Sequence, residues 1–273
     1  MKNKILIVGK GYIGTHLAQT LQCPVSGQRI SSFKDIQRLL DRYRPNTIIN
    51  CIGHTGKRNV DDCELELDQT LSANTFVPIL LAEAAWRKNI KFVHISSGCI
   101  YHYHYGKQEP IDEDRIPDYY DLYYSRTKIY AENVLTQMAK RCNILIARVR
   151  VPLDDAPHPK NLLTKLIRYQ KIIDVPNSVT YLPEFVNAMK HLLRLNAEGI
   201  YNIVLKDALY YPDLLTLYQK YVPDYRFKVI PLRNLELVRT NLVMSARKLA
   251  NSGFHVSSTK DILKKCVQRY VKS

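Results

Sequence analysis

Ile5-Leu6-Ile7-Val8-Gly9-Lys10-Gly11-Tyr12-Ile13-Gly14 is a short apolar run followed by a glycine-rich turn, and it leads into a helical pattern through Leu17, Ala18 and Leu21. Strand, turn and helix in that order are what a dinucleotide-binding turn requires. Gly9 permits the tight turn, Gly11 lets the backbone approach a pyrophosphate, and Gly14 lets the helix pack closely on the strand, with phosphate at the helix N-terminus. A merely flexible glycine loop would lack the flanking strand and helix.

Turns of this kind that bind NAD carry an Asp or Glu about 20 residues further on, for the ribose 2′-hydroxyl. Here the end of the second strand reads Val25-Ser26-Gly27-Gln28-Arg29-Ile30, with an Arg and no carboxylate. Arg29, helped by Lys10, suits a 2′-phosphate and hence NADPH. The nearest acid, Asp35, closes the stretch Ser32-Phe33-Lys34-Asp35, which reads as a capping box opening the next helix.

Downstream, Tyr124-Ser125-Arg126-Thr127-Lys128 spaces a Tyr and a Lys i, i+4, on one face of a helix. The ammonium there can bias the phenol's protonation and make it a proton donor. Ser97, which directly follows the apolar stretch Phe92–Ser96, can offer a second hydroxyl to the same carbonyl. Together the three groups polarise a C=O for hydride attack.

Apolar strand candidates alternate with helical patterns: Thr47 to Ile52, a helix from about Leu67 to Trp86, Phe92 to Ser96, a helix from about Tyr123 to Met138, and Ile144 to Val149. The alternation predicts an α/β fold, a doubly wound parallel Rossmann sheet with a small C-terminal substrate-binding lobe. Residues 1–150 form the NADP-binding domain, with part of 178–205 added to it, and 151–273 form mainly the lobe. After Arg150 the prolines Pro152, Pro157, Pro159, Pro176 and Pro183 predict loops and short helices.

At 273 residues and 46% hydrophobic, the chain can bury a full core. Its six cysteines contain no Cys-x-x-Cys pair, so free thiols and a reducing compartment are expected. With no signal peptide and no apolar run of about 18 residues, the expected location is the cytoplasm, with no membrane partner. The net charge of +15 comes from 40 basic and 25 acidic residues and has no nucleic-acid motif beside it. Anionic ligands use some of it, and Lys264, Lys265, Arg269 and Lys272 read as a solvated face. His102 and His104 lack a third ligand nearby in the sequence, so no metal is expected.

With these residues in view, the chain resembles the extended short-chain dehydrogenase/reductases. Within them it is similar to the bifunctional 3,5-epimerase/4-reductases that convert UDP-4-keto-6-deoxyglucose to UDP-L-rhamnose, with the bacterial dTDP-4-dehydrorhamnose reductases as more distant relatives. The likeness runs nearly the whole length. It is carried by the glycine turn, the stretch from Asn50 to Glu64, Ser97–Tyr101, Tyr124–Lys128, Arg148–Pro152, Asn161–Lys165 and Val175–Thr180. The resemblance implies a reductase triad of Ser97, Tyr124 and Lys128, and an acid/base pair for epimerisation of Cys99 and Lys165. It implies cofactor contacts from Gly9, Lys10, Gly11, Tyr12, Ile13, Gly14, Arg29, Cys51, Gly53, Tyr124 and Lys128, with NADPH as cofactor. Substrate contacts are implied for Thr55, Asn74, Arg150, Asn161, Asn177 and Ser178, with a UDP- or dTDP-4-keto-6-deoxyhexose as partner and a homodimer left open.

Epimerisation is intelligible chemically. A C4 ketone acidifies the hydrogens on C3 and C5, so inversion needs one group to remove a proton and another to return it from the opposite face. Two features depart from the family pattern: Pro183 stands where an acidic residue is usual, and Ser245 replaces an Asp. Two alternatives stay open, a reductase without epimerase activity, and a non-catalytic binding partner like the regulatory subunit of methionine adenosyltransferase.

Overall fold

The computed structural model describes residues 4–57, 59–234 and 240–273. Arg58, inside one of the stretches that carry the resemblance, lies outside the described residues. The chain forms two compact units, one of residues 1–100, 117–148 and 192–201, the other of residues 101–116, 149–191 and 202–273.

The first unit is built on β1 (Ile5–Val8), β2 (Val25–Ser26), β3 (Thr47–Asn50), β4 (Lys91–Ser97) and β5 (Ile144–Val149). With the strand Gly199–Ile203 they make a six-stranded sheet in the order β2-β1-β3-β4-β5 and then 199–203. β1 runs parallel to both β2 and β3, and β3 runs parallel to β4 with Asn50 opposite His94. Alternate residues explain why the sheet is covered twice. Leu6, Val8, Ile48, Phe92, Ile144 and Ile146 share one cluster with apolar residues of α2 (Phe33–Tyr43) and of the helix Val77–Arg87. Their neighbours Ile7, Ile49, Val93, Leu145 and Ala147 are just as buried. Since successive side chains leave opposite faces of a strand, both faces carry packing. The doubly wound reading is borne out.

Between β1 and β2 runs α1 (Tyr12–Leu21), and α2 opens with the expected capping box. Ser32 Oγ accepts the Asp35 N–H, and the Asp35 carboxylate accepts the Ser31 and Ser32 N–H groups at 3.0 Å. These bonds hold the Asp35 carboxyl down to about 2.

Where the sequence predicts one helix from Leu67 to Trp86, the structure has three segments: α3 (Leu67–Leu71), a π turn at Ser72–Phe76, and α4 (Val77–Arg87). Pro78 has no N–H for the carbonyl one turn before it, and a wider turn accommodates the defect. The helix α5 (Tyr123–Met138) and strand β5 fall where the pattern places them.

The second unit has its own core, with Leu153, Leu163, Leu214, Cys266 and Val267 among its most buried residues. The chain after Arg150 differs from the expected short pieces in two helices, Leu182–Arg194 of 13 residues, whose last three belong to the first unit, and Thr259–Lys272 of 14. Pro183 lies in the first turn of the former, where a missing N–H costs nothing. On the latter, Ile262, Leu263, Cys266, Val267 and Tyr270 face inward, and Lys264, Lys265 and Arg269 are exposed. Arg269 is not merely solvated, since it pairs with Asp155 at 2.7 Å.

Asn161 fastens the start of the short helix Leu162–Leu166. Its amide donates to the carbonyls of Asp154 and Ala156 at 2.9 and 2.8 Å, and its oxygen accepts the Asp154 and Leu163 N–H groups at 3.3 and 3.2 Å. All six cysteines are free.

Two outcomes are expected. A Cβ on Gly14 would lie 2.0 Å from the Gly9 carbonyl oxygen, whereas one on Gly11 would meet no protein atom within 4 Å. Chemical denaturation should show Gly14→Ala destabilised by about 3 kcal/mol, and Gly11→Ala by no more than about 1 kcal/mol for a poorer cap. Asn161→Ala strands several buried backbone groups, so it should lose about 3 kcal/mol in the same measurement.

Candidate active site

Strand order reverses between β1 and β3, and the carboxyl ends of these strands mark the switch point where open α/β sheets bind ligands. Gly9 sits there at φ +111°, and a Cβ on it would lie 2.6 Å from the Ile52 nitrogen. The two strand ends are tied by the Cys51 N–H on the Val8 carbonyl at 2.7 Å, and the Gly9 N–H bonds the Ser26 carbonyl of β2 at 2.8 Å. Helix α1 begins at Gly11 with no side chain capping it. Its first N–H groups, in Tyr12 and Ile13 among others, are therefore suited to an anion. Gly11 has open space around its Cα, so nothing inside the protein requires glycine there.

Lys10 lies along Gly27, its Cβ 3.4 Å from where a Gly27 Cβ would stand. Lys10 and Arg29 are both exposed, and among the described residues neither has an acidic partner. With no carboxylate at the end of β2, these residues fit a dinucleotide carrying a 2′-phosphate.

The loop after β3 connects this end of the sheet to α5. Asn50 accepts the Ile52 N–H at 3.0 Å and bonds His94 of β4 at 3.1 Å. Beyond it, a Cβ on Gly53 would stand 3.3 Å from Lys128 Nζ and 3.4 Å from Asn74 Oδ1. Asn74, on the π turn, accepts the His54 N–H at 2.8 Å and donates to the His54 carbonyl at 3.0 Å and to Thr127 Oγ1 at 3.2 Å. Thr75 Oγ1 donates to the Thr127 carbonyl at 2.7 Å. The Gly53–His54 backbone and the α5 turn that carries Lys128 are thus held to one helix. Thr55, half-buried, follows in the same loop.

Lys128 is buried, and its loss of solvent pulls the ammonium down to about 8, against an opposing attraction from Glu132. Tyr124 is buried one turn earlier on α5. Ser97 is the last residue of β4, and its Oγ accepts the Cys99 N–H at 3.1 Å. Ser125 Oγ donates to the Cys99 carbonyl at 2.5 Å and so joins the start of α5 to the turn after β4. The first unit therefore assembles the glycine turn, Lys10, Arg29, Cys51, Gly53, Asn74, Ser97, Cys99, Tyr124 and Lys128 around one end of one sheet.

The second unit carries the remaining named residues. Lys165 lies half-buried on the short helix that Asn161 caps. Asn161 has all four of its hydrogen-bonding positions filled within the chain, which leaves none for a ligand. The Arg150 guanidinium donates to Asn177 Oδ1 at 3.4 Å and to the Thr240 carbonyl. Asn177 in turn accepts the Leu242 N–H at 3.1 Å and donates to Asn241 at 3.2 Å, and Ser178 Oγ accepts the Met244 N–H at 2.8 Å. Arg150, Asn177 and Ser178 therefore hold the segment 240–244 in place.

Sequence reasoning missed a buried ion pair. Arg148 of β5 grips Glu132 of α5 with Nε at 3.0 Å and Nη2 at 2.7 Å, and Ser96 Oγ donates to the same carboxylate. The signal was present: Glu132 falls on the inward face of an amphipathic helix, one turn beyond Lys128.

The RmlD substrate binding domain model matches residues 3–175. The bifunctional dTDP-4-dehydrorhamnose 3,5-epimerase/dTDP-4-dehydrorhamnose reductase of Arabidopsis thaliana is 30% identical over 280 residues, 96% of this chain and 91% of that protein. The crystal structure of the L780 UDP-rhamnose synthase from Acanthamoeba polyphaga mimivirus matches with a TM-score of 0.88 at 20% identity, covering 97% of this chain and 99% of that one. The dTDP-4-dehydrorhamnose reductase from Bacillus anthracis, in complex with NADP, matches with a TM-score of 0.80 at 18% identity, covering 100% and 99%. At those identities the two structures speak for the fold alone. The family model spans more than half of the chain and agrees with the plant relative, so this chain belongs to the RmlD substrate binding domain family.

Proposed function

We propose that the chain is an NADPH-dependent reductase of a nucleotide 4-keto-6-deoxyhexose that also epimerises C3 and C5, converting UDP-4-keto-6-deoxyglucose to UDP-L-rhamnose. The observation that carries this reading is Lys128, a buried ammonium beside Gly53 at the switch point and one helical turn from Tyr124. A buried cation in that position needs a reason, and biasing a phenol toward proton donation is one.

NADPH, when bound, supplies the hydride. The chain's residues do the rest. The uncapped start of α1 and the turn Gly9–Gly14 hold the pyrophosphate, and Lys10 and Arg29 hold the 2′-phosphate. Ser97 donates a hydrogen bond to the C4 oxygen, and Tyr124 delivers the proton as the carbonyl becomes an alcohol. Lys128 stabilises the phenolate that remains. Before reduction, Cys99 and Lys165 act as the acid/base pair that inverts C3 and C5, and the family resemblance together with the curated plant relative supports those two roles. Removing the substrate contact expected of Asn161, whose valences are filled, leaves the proposal intact, since that residue can shape the lobe without touching sugar.

The decisive experiment incubates the protein with UDP-4-keto-6-deoxyglucose and NADPH in deuterium oxide and identifies the sugar and its label by NMR. UDP-L-rhamnose with deuterium at C3 and C5 is expected. Tyr124→Phe should abolish reduction while deuterium still enters C3 or C5, and Cys99→Ala should lose the exchange yet still reduce a substrate already inverted at both centres. Unlabelled, uninverted product from the wild type would favour a reductase alone. For the cofactor, fluorescence titration should show NADPH binding more tightly than NADH, and Arg29→Ala should weaken NADPH about ten-fold or more while leaving NADH almost unchanged. Equal wild-type affinities would remove the role given to Arg29.

A further inference from the structure

Glu132 stands one helical turn beyond Lys128, with 2% of its side chain exposed. Residues spaced i, i+4 on a helix lie about 6 Å apart at Cβ, so the carboxylate acts on the ammonium through space. Its oxygens are committed elsewhere, to Arg148 of β5 at 3.0 and 2.7 Å and to Ser96 Oγ of β4. Ser96 immediately precedes Ser97. Three elements that carry or adjoin the proposed triad, β4, β5 and α5, thus meet at one carboxylate.

We infer that Glu132 is a positioning residue, the fixed counter-charge that keeps Lys128 an ammonium in a dry site and holds α5 in register with the end of β4. This rests on the reductase reading for what the ammonium does, though not for what holds it charged. The groups facing Lys128 support the assignment. They are Tyr124 and Glu132 on its own helix, one turn to either side, Cys51 after β3, Cys63 in the turn Val60–Glu64, and His94 of β4, with the Arg148 guanidinium behind the carboxylate. Burial pushes both thiols up and the imidazole well below its ordinary value, so these three are neutral near pH 7. The Glu132 carboxylate is left as the charged group opposing the loss of solvent that pulls Lys128 down to about 8.

The sign follows. Lys128 loses its proton as the pH rises through its own pKa, and reduction should fall off with it. Glu132→Gln removes the negative charge and keeps the shape, so Lys128 should titrate about one to two pH units lower. Ser96→Ala removes a donor that partly neutralises the carboxylate, so Lys128 should titrate at the wild-type value or slightly higher. A fall when the carboxylate is removed, with none when only its Ser96 donor is removed, is not what loosened packing alone would cause.

The test is the titration of Lys128 in the full-length protein with NADPH present and absent, followed by NMR of isotopically labelled lysine and assigned with Lys128→Arg. A fall in Glu132→Gln, with Ser96→Ala at or above wild type, is the expected result. An unchanged Lys128 pKa in Glu132→Gln overturns the proposal. If the Gln variant does not fold, Glu132→Gln is combined with Arg148→Met, which removes the buried pair whole: Lys128 should titrate lower than in Arg148→Met alone, and equal values in the two overturn the proposal. The high-pH limb of the reduction rate is the second readout and should move with the titration. If the wild type reduces no 4-keto sugar, the functional reading fails while the titration still judges Glu132.

Discussion

Helix α1 can reach the ends of β1 and β3 only because two Cβ atoms are missing. A side chain on Gly14 would collide with the Gly9 carbonyl at 2.0 Å, and one on Gly9 would meet the Ile52 nitrogen at 2.6 Å. The contact is backbone against backbone, which cannot give way as a flexible side chain can. It aims the uncapped start of α1 at the switch point and sets where the chain leaves β3. From there Gly53 comes against Lys128, and Asn74 holds His54 and Thr127 together. One close approach therefore governs the glycine turn directly and the surroundings of Lys128 through the loop.

The first unit also keeps a full ion pair in its interior, and stability does not call for it. Replacing a buried pair by apolar groups of similar volume is often neutral or stabilising, whereas removing one partner costs about 3–5 kcal/mol. Arg148 and Glu132 are therefore not explained as glue. On the proposed reading, a helix whose inner face presents both Tyr124 and Lys128 has a use for a directional anchor. A bidentate guanidinium–carboxylate pair has fixed geometry where packed leucines could slide.

Much of the fold was legible because its signals are local. Strand β5, helix α5 and the capping box at Ser32 depend on residues a few positions apart, and each stands where the pattern predicts. The π turn was not legible, because Pro78 reads equally as a tolerated first-turn proline. Pro183 misled in the opposite sense, being read as a break where it opens a helix of 13 residues. The approach of Gly53 to Lys128 was beyond reach as well, since they are 75 positions apart in the chain with strand β4 between them. A Tyr and a Lys four apart predict a shared helix face, and say nothing about which loop comes to meet it.

The same limit explains the named polar residues of the second unit. Asn161, Asn177 and Ser178 carry the donors and acceptors that a sugar would need, and these are also the groups that free backbone amides and carbonyls need. Sequence cannot distinguish the two uses. In the structure Asn161 serves the backbone of residues 154–163, and Asn177 and Ser178 serve residues 241–244. A buried asparagine whose four positions are filled is a rigid joint, and losing it would loosen every group it ties. Stretches that look like ligand contacts can thus mark the frame that gives a binding surface its shape, and their substitution would then act on the stability of the unit before it acts on affinity.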